Sequence, residues 1–162
     1  VFRISSKVTM LFQRVNRTDP EKVFLVAYNS YSTAAITNGQ AVNWDFITDA
    51  DGVGVTMPLA RATNQGLATA GIVATASIAA GDYGLIQVYG RHTATRVRGV
   101  TSGGVVATPG MPLAANAAGS VFCLETFATH FTGIHIWPCA FMLSTLTNQW
   151  TTVAKNVFVK TL

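Results

Sequence analysis

Charge is what this chain has least of. Only 11% of its 162 residues are Asp, Glu, Lys or Arg, against ~25% in an ordinary globular domain. From Gly99 to Ala154, Glu125 is the one formal charge. A 17.2 kDa monomer would show roughly 7,800 Å² to water. Eighteen charged side chains are few for that area. A bilayer or other protein is therefore expected to cover much of it.

Long apolar runs are also missing, and that argues against the bilayer. A spanning helix needs about 20 consecutive apolar residues. The best run, Gly133 to Leu143, is shorter and is interrupted by His135 and Pro138. Gly66 to Gly81 is uncharged but consists mostly of Ala, Gly, Thr and Ser. Ten-residue alternating strands of the membrane-barrel kind do not recur. Residues 1 to 22 carry Arg3 and Lys7 without an apolar core, so they do not read as a signal peptide.

Acids and cysteines are scarce too. Beyond Asp51 the only acids are Asp82 and Glu125, which leaves little for acid–base chemistry. No Gly-x-Ser-x-Gly, His-Glu-x-x-His or phosphate-binding Gly-Lys-Ser/Thr loop occurs. Asp45, Asp49 and Asp51 supply half of a calcium loop, and its other ligands are absent. As turn formers they close a hairpin. Cys123, Cys139, His130, His135 and Glu125 lack the paired spacing of a zinc site. Both cysteines read as buried reduced thiols. The expectation is no catalytic residue, no metal and no cofactor.

What is present is period two. In residues 2 to 12, Phe2, Ile4, Val8, Met10 and Phe12 fall on one side, with Ser6 the exception. Arg3, Ser5, Lys7 and Thr9 fall on the other. That is a strand with one apolar face. The polar stretch Asn16 to Lys22, with Pro20, then reads as a connector. Residues 1–22 are expected as an N-terminal arm, and 23–162 as a single β-rich domain.

Further strands are expected at Val23–Tyr28, Gln40–Ile47, Gly54–Met57, Gly71–Ile78, Tyr83–Arg91, Thr93–Arg98, Val121–Leu124, Gly133–Trp137, Ala140–Leu143 and Asn156–Thr161. Asn38-Gly39, Asp49 to Gly52, Gly81-Asp82, Gly103-Gly104 and Pro109-Gly110 punctuate them. No helical period is sustained. The small-residue stretch Leu113 to Gly119 is the best place for a short helical turn. The fold class is all-β: a small β-barrel or sandwich of short strands with an extended N-terminal arm.

Net charge is +4 and uneven. Arg91, Arg96 and Arg98 stand near Tyr83 and Tyr89, the pairing that single-strand nucleic-acid binders use. The basic set is small, so a single-strand nucleic-acid-binding barrel is the alternative of a different class.

The strongest local signal is Ile78-Ala-Ala-Gly81-Asp82-Tyr83-Gly84-Leu85-Ile86-Gln87-Val88-Tyr89-Gly90. A Gly-Asp turn leads into a strand with glycine at positions 84 and 90. Strand glycines mark sharp curvature or close backbone approach. This segment resembles the head decoration (cement) proteins of tailed bacteriophages. Asn38-Gly39-Gln40-Ala41-Val42-Asn43-Trp44-Asp45, Gly71-Ile72-Val73-Ala74 and Gly110-Met111-Pro112-Leu113 are compatible with that pattern in order and spacing. The resemblance covers roughly residues 36 to 125.

The resemblance implies a non-enzymatic virion protein on the capsid surface, with the major capsid protein as partner and a homotrimer as the assembly. Another virion component, a tail or fibre-base protein, is the structural alternative. Large apolar interfaces would account for the charge-poor second half. Capsid or subunit contacts are expected at Arg3, Lys7, Arg14 and Arg17 of the arm and at Phe127, Phe131, Trp137 and Phe141. The arm is expected to add a strand to a neighbour's sheet edge. Water-exposed surface is expected near Asp19–Lys22 and Asp45–Asp51.

Overall fold

The computed structural model describes residues 21–49, 52–58, 69–99, 105–118, 121–126, 138–147 and 151–161. Among these residues there is no helix, so the all-β expectation holds. The strands are β1 (Val23–Asn29), β2 (Ile36–Thr37), β3 (Ala41–Trp44), β4 (Gly54–Thr56), β5 (Thr69–Val73), β6 (Ser77–Ile78), β7 (Tyr83–Arg98), β8 (Val105–Ala107), β9 (Pro112–Ala118), β10 (Val121–Thr126), β11 (Ala140–Met142), β12 (Leu146–Thr147) and β13 (Val153–Lys160).

Strand β7 organises them. Its first half belongs to a closed five-strand barrel. There β1 runs parallel to β4, β4 pairs with β3, β3 with β5, β5 with β7, and β7 with β1. Its second half enters another closed circuit of five strands. There β7 pairs with β13, β13 with β11, β11 with β9, β9 with β10, and β10 runs parallel to β7. Each circuit has its own apolar core. Ala27, Val42, Val55, Val73, Ile86 and Val88 fill the first. Val97, Leu113, Ala115, Met142, Val157 and Val159 fill the second. The short pair β2–β6 adds Ile36 and Ile78 to the first core. The pair β8–β12 adds Val106, Ala107 and Leu146 to the second.

The two cores share a wall. On β3, Ala41 packs in the second cluster and Val42 in the first; on β5, Ile72 and Val73 divide the same way. Successive strand residues point to opposite faces, and here both faces are covered. That is why Gly71-Ile72-Val73-Ala74 is an unbroken small and apolar run rather than an alternating one.

Two strands expected at Tyr83–Arg91 and Thr93–Arg98 are one continuous strand of 16 residues. It bends instead of ending, and Gly90 is the bend. Its φ of 99° lies in a region that favours glycine. A Cβ at this position would run into the carbonyl oxygen of Glu21. Register shifts flank it, in β1 between Val23 and Phe24 and in β13 between Lys155 and Val157. Such irregularities redirect a strand, here from one core to the next.

Two other expectations are corrected. The stretch Leu113–Gly119 is not a helical turn through its described residues. Residues 112–118 form β9, held between β10 and β11. Pairing on both sides overrides the weak local preference of an alanine-rich segment. The expected strand Gly71–Ile78 splits at Thr75 and Ala76, where a bend separates β5 from β6. Residues 1–20 of the expected arm, and the expected strand Gly133–Trp137, lie outside the described residues.

Candidate functional site

In β1, Val-Phe-Leu-Val-Ala-Tyr is apolar at six successive positions. A barrel strand needs only alternate residues for its core. Ala27 and Asn29 supply them, fully buried. Phe24 and Val26 remain exposed, Val26 at 63%. In the antiparallel ladder with β7, Val26 stands opposite Leu85, and Tyr28 opposite Tyr83. Leu85 is exposed at 44% and Tyr83 at 65%. The Tyr28 and Tyr83 rings meet at 5.2 Å between centroids. The outer face of the β1–β7 ladder is thus an apolar stripe open to solvent.

Asn29 anchors the end of this stripe. Its side-chain amide donates to the carbonyl of Ile78 at 2.9 Å, and its Oδ1 accepts the Tyr31 amide at 3.0 Å. Beside it, the β3–β4 connection carries more exposed apolar groups: Phe46 at 61%, Ile47 at 76%, and Val53. Val53 borders β1 directly, because its carbonyl accepts the Tyr28 amide at 3.0 Å.

Asp45 fixes this connection. Its carboxylate accepts the Ser30 hydroxyl at 2.6 Å, the amides of Ile47 and Thr48 at 3.1 and 3.0 Å, and the Thr48 hydroxyl. Burial alone would raise this carboxyl, but the bonds from Ser30, Thr48 and Ile47 outweigh it and hold it down at about 2. Asp45 was expected at a water-exposed hairpin. It is buried at 6% exposure, because the backbone and hydroxyl donors draw it inward. Phe46 and Ile47 face outward instead. Residues 46–48 of the stretch expected to be water-exposed are exposed, and two of the three are apolar.

The other anticipated positions fall elsewhere. Arg3, Lys7, Arg14, Arg17, Phe127, Phe131 and Trp137 lie outside the described residues. Phe141, in β11 of the second circuit, is half-buried and in register with Phe158 and Pro112. Of the basic and aromatic set, Arg96 donates to the Thr37 hydroxyl at 2.9 Å. The Tyr89 ring makes an edge contact with Phe158 at 5.1 Å.

Among the described residues, no group of three or more His, Cys, Asp or Glu could hold a metal ion. The buried Cys139 thiol bonds to the Leu113 carbonyl at 3.4 Å. Burial pushes it up to about 11, despite hydrogen bonds from Thr69 and the main chain. It stays protonated at neutral pH and is a poor nucleophile. No helix among the described residues is long and apolar enough to cross a membrane.

Sequence reasoning missed Phe24, Val26, Tyr83, Leu85, Phe46 and Ile47 as a surface. The signal was the unbroken apolar run of Val23–Tyr28, which supplies more apolar side chains than one buried strand face can use. Comparison with protein-family models, with curated proteins and with solved structures finds no match to this chain.

Proposed function

We propose that this chain is a virion structural protein, a decoration protein that binds the outer lattice of a bacteriophage capsid and stabilises the head. It is a docking module rather than an enzyme. The observation that carries the reading is the exposed apolar stripe of Phe24, Val26, Tyr83 and Leu85, bordered by Phe46 and Ile47. Contiguous apolar surface of this kind marks an interaction site. Covering it with a partner contributes about 25 cal/mol per Å² of apolar area. The resemblance around Gly81 to Gly90 supplies the partner class: the major capsid protein, with sister copies in a homotrimer. The sparse charge of the second half suits a subunit enclosed by neighbours.

The single-strand nucleic-acid reading is weaker. It needs Arg96 and the tyrosines on one open surface, whereas Arg96 binds Thr37 and Tyr89 packs on Phe158. The test compares heads carrying the protein with heads lacking it. The bare heads are expected to release genome at a lower temperature and under milder osmotic shock. Equal thresholds would sink the cement role.

A further inference from the structure

Both circuits of strands are closed, which removes most sheet edges. One edge remains. Strand β4 is laddered to β1 only at Tyr28 and Asn29. Among the described residues, no strand pairs with the same side of β1 upstream of Tyr28. Tyr28 directs its amide to that side, towards Val53, whereas Asn29 directs its own to Asp82 beyond β7. By alternation, the main-chain groups of Phe24 and Val26 also face the β4 side. Their side chains are exposed, as is that of Leu25 between them. The edge therefore combines main-chain hydrogen-bonding groups with an apolar flank, the two elements of strand addition.

We infer that this edge of β1 accepts the alternating segment 2–12 of a second copy of the chain, as an added strand. Three observations favour this occupant. The first is pattern: Phe2, Ile4, Val8, Met10 and Phe12 make a one-sided apolar strand in need of a surface. Eleven residues span ~36 Å, well beyond the ~17 Å of Val23–Ala27.

The second is charge. Residues 1–20 hold Arg3, Lys7, Arg14 and Arg17 against Asp19, a net +3. Residues 21–90, within which the strands of the first barrel fall, hold five acids against Lys22 and Arg61, a net −3. Residues 91–162 hold five bases against Glu125, a net +4. The basic arm therefore matches the barrel that carries the open edge, not the second circuit.

The third is the exit direction. The main chain of Glu21 lies against Gly90 of β7, so the first described residue after the arm sits beside β7 and not along the open edge. Copies that donate such segments head to tail form closed rings where the rotation closes.

The inference concerns copies of this chain alone. It stands or falls independently of the capsid reading, because its test contains no capsid. In a Cys123→Ser/Cys139→Ser background, full-length copies carrying one added cysteine, from Arg3→Cys through Met10→Cys, are each mixed with full-length copies carrying Val26→Cys. A mixture with Ala154→Cys copies, exposed on β13, is the control. Under mild oxidation, interchain disulfides to Val26→Cys are expected at about ten times the control level or more. They should rise and fall with period two along the arm, as strand pairing requires. Yields equal to the control at every position would overturn the inference. So would a Val8→Cys/Val26→Cys double variant whose disulfide forms within one chain, since that places the arm on its own barrel.

Discussion

The carbonyl oxygen of Glu21 occupies the space where a side chain at Gly90 would begin. This contact joins the start of β1 to the bend of β7, where the long strand passes from one core to the other. A residue with a Cβ must displace main chain there and also adopt an unfavourable φ. Gly90→Ala is expected to lower stability by at least about 2 kcal/mol. The matched control is Gly110→Ala, where φ is 86° but nothing lies within 4 Å; it should lose only about 1 kcal/mol. Urea midpoints of the two variants check the difference.

A second expectation concerns mild acid. His92 is buried in β7, and its Nδ1 lies 2.8 Å from the Thr95 hydroxyl. Burial first, and then the Lys22 ammonium, push its pKa below the ordinary 6.5. The unfolded chain therefore takes up a proton before the folded one does. This contribution is complete above pH 6.5 and is lost as pH falls below it. Replacing His92→Gln should flatten the dependence of stability on pH between 7.5 and 5, measured by urea unfolding at each pH.

Asp45 acts in a lower window. Its carboxyl is held at about 2, against 3.8 unperturbed. A lowered acid stabilises the fold above its unfolded pKa, and the effect is lost as pH falls through the folded one. The contribution is on the order of 2 kcal/mol, complete above about pH 5 and mostly lost by about pH 2. The stability gap between the unaltered chain and Asp45→Asn should close over that range. A gap that persists at pH 2 would show that the hydrogen bonds do not depend on the carboxylate charge.

The apolar stripe predicts a separation of folding from association. Val26 and Leu85 face each other across β1 and β7 with both side chains exposed. A charge at either position leaves the core intact, so Val26→Glu and Leu85→Glu should each change stability by less than about 1 kcal/mol. Both should lower the assembly mass read by light scattering. Wild-type mass with wild-type stability would remove the stripe from the assembly surface.

Much of the fold was legible in sequence, because period-two runs and Gly-Asp or Asn-Gly turns are local signals. Val23–Tyr28, Gly54–Met57 and Ala140–Leu143 each correspond to an observed strand within a residue or two. What escaped was set by distant partners. Nothing near Leu113–Gly119 announces that β10 and β11 will flank it. The continuity of β7 through Gly90 depends on Glu21, about seventy residues away. Asp45 looked like a surface turn former because its donors include Ser30, fifteen residues earlier. The docking face was half legible. The over-long apolar run of β1 was in view, but its pairing with Leu85 and Tyr83 was not.

The most direct measurement is attachment of the purified protein to undecorated capsids, with Val26→Glu and Leu85→Glu compared against the unaltered chain. The unaltered chain should co-sediment with capsids and raise their genome-release temperature. Each variant, folded to wild-type stability, should do so at least ten times more weakly. Equal attachment of all three would contradict the assignment of the β1–β7 face as the capsid-docking surface.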